Sequence, residues 1–404
     1  MIEKHTLAGI LLKLERLRQD KGQKEVCSGI CVPSYLSKIE HGTVCADEKI
    51  LAELFARLGI FYEKDQAVLE KLGKLIEKYF YCRQYYLDTR DVYEKLQEQE
   101  RTLMYSRYAV DWLLICAFEQ AAPRDIMDRL DALKEHMEPR QLAYYKLLCA
   151  QEEKNAERAV HLSREACDVL NNSYAMLMLC VAYFRQGNYS EIHRMEQRVV
   201  AAAVEEGNTY QLADFCFMNG NAYACLNMEE MMMVYFERGI RLLQNTAWKR
   251  ELAGVYYNIG ATYISLRKYD PALEYLEMSE QEDTGHQFQI PIFHKKAIVF
   301  LRTGRKDEGK KILAEMKNLL LKKTATSAVD WLIYEEAEME AEEGFLNNPE
   351  YLKLLEKLIR AIKEELHFGY LYFYREVIVE ACKRQRRYRQ ALEFEQEISS
   401  GIVK

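Results

Sequence analysis

The sequence predicts an all-α protein in two parts, a small N-terminal helical bundle followed by a long array of helix pairs. Three observations carry this. Only six of the 404 residues are proline, and Leu, Glu, Lys, Ala and Tyr are abundant, a composition that favours helices. Apolar residues recur at spacings of three and four, the period of a helix face. From about residue 66 a pattern of small and aromatic residues returns at a longer beat, with Tyr183, Tyr223, Tyr263 and Phe300 falling 40, 40 and 37 residues apart, and a fixed period of this length marks a repeat architecture.

The N-terminal elements follow in order. Leu7, Leu11, Leu14 and Leu17 share one face of a first helix. Gln23–Ser28 is a short polar helix with Val26 as its inward residue, broken by Gly29. Ile30, Cys31 and Val32 make an apolar turn. Pro33 suits the first position of a third helix, where its missing N–H costs nothing. Between Ser34 and Glu40 only Leu36 and Ile39 are apolar, so one narrow stripe docks inward. The other face offers Pro33, Ser34, Tyr35, Ser37 and Lys38, mostly small or hydrogen-bonding and compatible with base edges and phosphates. His41 and Gly42 close it. Ile50, Leu51, Leu54, Phe55 and Leu58 form a fourth helix ending at Gly59, and Ile60-Phe61-Tyr62 completes the small domain.

SYLSKIEHG, preceded by QKEV and followed by an amphipathic helix, resembles the helix-turn-helix domain of lambda-repressor-like regulators, and most closely that of the Rgg/PlcR class of peptide-sensing regulators. The resemblance covers roughly residues 1–65. Val32 departs from it, standing where a capping Ser or Thr is usual. It implies DNA contacts from Gln23 and Lys24 as well as from Pro33, Ser34, Tyr35, Ser37 and Lys38.

The clearest repeat unit, YYNIGATYISLRKYDPALEYLEMS at 256–279, resembles the tetratricopeptide pattern. Gly260 and Ala272 let its two helices approach, Tyr263 fills the space beside them, and Tyr269 plugs the turn. Related units occur at 179–192, 219–239, 297–313 and 380–395, and weaker hairpins fill 66–100, 102–137, 139–170 and 326–363. About nine pairs result, and such pairs stack into a right-handed superhelix with a concave inner face. The expected division is therefore 1–65 for the helix-turn-helix domain and 66–404 for a tetratricopeptide-repeat domain that binds peptide and dimerises.

Composition excludes several classes. No apolar run reaches the ~18 residues of a membrane span, and MIEKHTLAG lacks a signal peptide's apolar segment. Eleven cysteines lie scattered without metal-like spacing, which suggests reduced thiols in a cytoplasm. Catalytic motifs are absent, and the eight histidines stand apart from carboxylates and cysteines at telling spacings; no enzyme activity, cofactor or metal is expected. The net charge is −7, and residues 1–65 carry ten basic and ten acidic side chains. DNA affinity must then come from local placement of Lys13, Arg16, Arg18, Lys21, Lys24 and Lys38.

In such an array the first helix of each pair lines the groove. Asn258 stands two residues before Gly260 on that helix, and its amide can both donate to and accept from an extended chain. In the resembling regulators and the related Rap proteins an asparagine at the matching place holds the signalling peptide. Carried over, that residue is Asn258, with Asn221 one repeat earlier. By helical phase Tyr257, Phe217, His294, Lys295 and Arg302 project toward the same groove, the aromatics as pockets and Arg302 or Lys295 as partners for a carboxylate. Glu335, Glu338 and Glu342 read as a solvated face, Met228, Met231, Met232 and Met233 as a packed helix, and Lys383 to Arg389 as a charged cap.

These readings converge on a cytoplasmic, homodimeric transcription regulator of quorum-sensing type, binding a double-stranded DNA operator and a short signalling peptide. The alternatives are a repeat scaffold or inhibitor, a response-regulator phosphatase of Rap type, and a phage lysis–lysogeny switch of the same architecture.

Overall fold

In the computed structural model, residues 4–44, 46–226, 228–323, 327–365 and 368–403 are described; Met1–Glu3 and Cys45 lie outside them. All regular structure among the described residues is helical. Two compact units divide the chain, Met1–Leu179 and Cys180–Lys404.

The first unit opens with α1 (Lys4–Arg18), α2 (Gln23–Cys27), α3 (Pro33–Glu40) and α4 (Glu48–Arg57). Their order and bounds follow the sequence closely, because each end has a local cause. Pro33 starts α3, Asp47 caps α4 by accepting from the Lys49 N–H at 2.8 Å, and Gly29, Gly42 and Gly59 take positive φ after α2, α3 and α4. Val32 makes no side-chain cap. The inward stripe of α1 is Ala8, Leu11, Leu12 and Glu15, whereas Leu17 is 55% exposed. Leu7 and Leu14 are half-buried against the same core, so of the expected stripe only Leu17 turns outward, and α3 approaches at Gly9, where a Cβ would strike the Ile39 carbonyl.

Next come α5 (Gln66–Gln84), α6 (Arg90–Gln97), α7 (Glu100–Met104), α8 (Ala109–Glu119), α9 (Arg124–Leu133), α10 (Pro139–Glu152) and α11 (Ala156–Leu170), with α12 (Ser173–Gln186) crossing the division. The N-terminal helices share one core with these. Tyr105, just after α7, ties the two: its hydroxyl donates to Glu15 at 2.7 Å and its carbonyl accepts from the Glu63 N–H at 2.8 Å.

The second unit contains α13 (Tyr189–Glu205), α14 (Thr209–Cys225), α15 (Glu229–Leu243), α16 (Lys249–Ser265), α17 (Tyr269–Glu282), α18 (Gln289–Arg302), α19 (Lys306–Lys322), α20 (Ala328–Glu340), α21 (Pro349–Glu365), α22 (Phe368–Arg384) and α23 (Tyr388–Val403). From α14 onward consecutive helices pack as antiparallel hairpins. Each hairpin pairs unlike helices. In α19 only Gly309, Leu313, Met316 and Leu320 are buried, one narrow stripe. In α18 nine of fourteen residues are buried on nearly every side, because it packs on α17, α19 and α20 at once. Close approach within hairpins rests on glycine, as the spacing predicts: a Cβ on Gly260 would stand 2.9 Å from Leu276 Cγ and 3.1 Å from the Ala272 carbonyl.

Candidate functional site

On α3, Pro33, Ser34 and Lys38 are exposed, and so is Lys24 on α2, while Tyr35 and Ser37 are half-buried. Leu36 and Ile39 are buried as the stripe requires. Gln23 does not present a free amide: it donates to Glu40 at 2.7 Å. Two expected basic residues are also engaged internally. Arg16 is buried and gives Glu40 two hydrogen bonds, at 2.6 and 3.0 Å. Arg18 gives Glu15 two more, at 2.7 and 2.5 Å. Arg16 is therefore a core residue of the head rather than a phosphate ligand, since a desolvated bidentate pair is stronger than an exposed contact.

In the second unit the inner helices expose narrow stripes. On α16 the half-exposed residues include Gly254, Asn258, Ala261, Thr262 and Ser265, all small or polar. On α14, the same stripe one hairpin earlier reads Asp214, Met218 and Asn221, and α14 and α16 touch directly. Asn258 and Asn221 therefore share a surface, although it is Met218 that stands where Asn258 does relative to the paired glycines Gly220 and Gly260. The Asn258 side chain has no hydrogen-bond partner among the described residues; only its carbonyl is used, accepting from Thr262 Oγ1 at 2.8 Å. Among the described residues the Asp214 carboxyl has no hydrogen bond or ion pair, and burial together with Glu251 pushes it up to about 6. A sequence reading passed over Asp214 because a lone Asp in an apolar helix has no telling neighbour.

Seven residues beyond Asn258, ~10 Å along the helix at 1.5 Å per residue, Ser265 opens onto a cavity of about 680 Å³. Its wall includes Arg302, Glu340, Phe373, Arg375 and Glu376. Most of the charges there are paired. Arg302 donates to Glu340 at 2.7 and 3.2 Å, Arg375 to Glu395 at 2.7 and 3.1 Å, and Arg267 to Glu376 at 3.0 Å. This volume falls within the range of ligand pockets.

Of the residues expected in the groove, Arg302 reaches the cavity. Tyr257 and Phe217 are buried and do not form open pockets: Tyr257 stacks on Phe288 with centroids 6.1 Å apart, and the Phe217 ring occupies the space a Cβ on Gly239 would need. His294 and Lys295 are likewise buried, at 1% and 2% exposure. Helical phase misplaced all four because the inner helices are enclosed on several sides, so a polar position need not face water. His294 Nε2 lies 3.3 Å from Glu336 Oε2, and the Tyr351 hydroxyl donates to Glu336 Oε1 at 2.7 Å. Burial pulls His294 and Lys295 well below their ordinary values and pushes Glu336 and Glu340 up. Glu335, Glu338 and Glu342 are exposed as expected. The carboxylates that matter to the site, Glu336 and Glu340, lie between them and were not singled out, since i, i+4 acids on a helix ordinarily face solvent.

Met232 is buried and Met228 is 46% exposed, so the methionine run is packed through its central residue. Arg384, Arg387 and Arg389 are exposed and paired with Glu380, Glu356 and Glu393. No group of acidic, histidine or cysteine side chains that could hold a metal occurs among the described residues, and none of their helices is long and apolar enough to cross a membrane.

No protein-family model matches the chain, and no curated protein matches it by sequence. Its fold is similar to that of solved helical-repeat structures. One is a Rap protein complexed with competence and sporulation factor, with a TM-score of 0.63 and 12% identity over 82% of this chain and 98% of that one. Another is the apo form of RapI, with a TM-score of 0.57 and 11% identity over 83% and 99%. A third is the apo form of the quorum sensor NprR from B. thuringiensis, with a TM-score of 0.59 and 14% identity over 83% and 99%. At these identities the likeness establishes the fold alone, an all-helical architecture shared with these Rap proteins and NprR.

Proposed function

We propose that the chain is a cytoplasmic regulator that senses a short peptide in its repeats and binds duplex DNA through α2 and α3 as a homodimer. The observation that carries the sensing part is the surface shared by α14 and α16. There, among the described residues, Asn258 offers an unpartnered amide and Asp214 an unpartnered carboxyl, and the small and polar stripe of α16 leads toward the cavity at Arg302. An extended peptide needs such a floor: small residues admit its backbone, an amide grips one peptide unit, and charged ends set its register. The Rap protein of similar fold was solved in complex with competence and sporulation factor, which supports ligand binding by the repeats here. For DNA, the support is the exposed face Pro33, Ser34 and Lys38 on a helix held from behind by Leu36 and Ile39.

A single short helix reads too little sequence for high specificity, so two copies on two half-sites are required. Peptide binding shifts the equilibrium between two arrangements of those copies only by its preference for one, and a ~100-fold preference is worth ~2.7 kcal/mol.

The internal pairing of Arg16 and Arg18 favours a second reading, in which the head no longer touches DNA and the repeats bind a protein, as scaffold, inhibitor or response-regulator phosphatase. Selection of bound sequences from random duplex DNA by the intact protein separates the two. The proposal expects an enriched motif that the Ser34→Ala/Lys38→Ala protein fails to enrich; recovery of unselected DNA by the intact protein would leave the scaffold reading.

A further inference from the structure

The eight residues between α4 and α5, Leu58–Asp65, stand where a tether between the head and the repeats is expected. A free linker of that length has a reach of about 15 Å. That is nearly half of the ~34 Å between half-sites one helical turn apart, so heads on such tethers accept operators of many spacings. Here the segment is fastened along its length. The Ile60 N–H donates to the Phe55 carbonyl at 3.0 Å, and Tyr62 stacks on Phe55 with centroids 5.3 Å apart. Glu63 Oε1 accepts from the N–H groups of Lys64 and Asp65 at 2.9 and 2.8 Å.

α7 and the residue after it hold this segment from the other side. The Arg101 guanidinium donates to the Gly59 carbonyl at 2.5 Å, and the Tyr105 carbonyl accepts from the Glu63 N–H at 2.8 Å. The Tyr105 ring meets Phe55 edge-on, with centroids 6.5 Å apart. Its hydroxyl donates to Glu15 of α1 at 2.7 Å. Gln19 donates to the same carboxylate at 2.7 Å and to the Leu58 carbonyl at 2.8 Å. Two side chains, Arg101 and Tyr105, therefore join α1, α4 and the linker to α7. α1 in turn holds α3 through Arg16 and Glu40, so a continuous series of polar contacts runs from Tyr105 to the helix that faces DNA.

Given DNA binding through α2 and α3, we propose that Tyr105 is a positioning residue for it. Together with Arg101 it clamps the head at one orientation on the helices that follow, so that the dimer reads two half-sites at one fixed separation. This rests on the DNA-binding reading and specifies the operator that the reading leaves open: the separation of the half-sites is set by the clamp, and their sequence by α3.

The test selects bound duplexes from random DNA with the full chain and reads two quantities, the enriched half-site motif and the separation between its two copies. The unaltered protein should enrich one separation roughly ten-fold over those displaced by a few base pairs, because a displaced half-site faces another side of the duplex and is met only by deforming it. Tyr105→Phe keeps the ring against Phe55, and Tyr105→Phe/Arg101→Ala removes both side-chain hydrogen bonds without opening the core. The double variant should recover the same motif at separations spread over several base pairs, with the single variant between it and the unaltered protein. Weaker recovery at an unchanged separation assigns Tyr105 to stability alone and overturns the clamp. Full recovery at one separation in the double variant, or a spread already present in the unaltered protein, overturns it as well and leaves DNA binding intact. Enrichment of no motif by the unaltered protein overturns both.

Discussion

Arg16 on α1 and Glu40 at the last turn of α3 form a buried, two-bond ion pair, with Nε–Oε1 at 2.6 Å and Gln23 of α2 joining the same carboxylate at 2.7 Å. One carboxylate therefore fixes the relative placement of three helices of the head. Removing a single partner strands the other charge, so Arg16→Ala should destabilise the head by about 3–5 kcal/mol. Replacing the pair together, as Arg16→Met with Glu40→Leu, should recover most of that. Hydrogen exchange of the α1–α4 amides in the two proteins is the measurement; equal protection in Arg16→Ala and the unaltered chain would contradict the assignment.

Glu15 is the neighbouring node. Burial alone would raise its carboxyl, but hydrogen bonds from Arg18, Gln19 and Tyr105 outweigh burial and hold it at about 2. An acid depressed on folding lends stability that is fully present above its ordinary value near 4.5 and is lost as pH falls toward 2. Urea unfolding at several pH values should show the unaltered protein more stable than Glu15→Gln at pH 6, with the gap closing below pH 4.5. A gap independent of pH would mean that Glu15 acts through packing alone.

Asp214 has the opposite sign. Its carboxyl ionises near 3.8 in the unfolded chain and at about 6 in the folded one, so stability is lost as pH rises through that window. Asp214→Asn should raise stability at pH 7 by about 1–3 kcal/mol, since each pKa unit is worth about 1.4 kcal/mol, and the gain should vanish below pH 4. If the groove takes a basic residue there, the same variant binds cationic peptides more weakly. Greater stability with unchanged binding would assign Asp214 to the fold rather than to the ligand.

Asn258 is the position where loss of one amide should show most clearly. Leaving a buried peptide group unpaired costs on the order of 1–3 kcal/mol, so Asn258→Ala should weaken peptide binding by roughly ten- to a hundred-fold. Its side chain makes no hydrogen bond among the described residues, so thermal stability should be preserved. Calorimetry with a peptide selected by the protein from a pool of short synthetic peptides supplies the comparison, and unchanged affinity would move the backbone anchor to another residue.

What the sequence alone determined is the local order of the molecule. Caps, breaks and periods act over a few residues, which is why Pro33, Gly29, Gly42 and Gly59 place the ends of the head helices, and why Gly260 and Ala272 mark a close helix pair. The stripe holding Asn258 was legible for the same reason: it lies two residues before a glycine whose packing direction is known. Tertiary structure decided everything that depends on a second neighbour. Arg16 looks like any surface arginine until Glu40, twenty-four residues away, is brought against it. Gly9 reads as a weak point in α1 until the Ile39 backbone fills the space of its missing side chain. His294 and Lys295 fall on a face that helical phase assigns to the groove, yet α18 is enclosed by α17, α19 and α20. Period tells which residues share a face of a helix; only packing tells how many of its faces are covered.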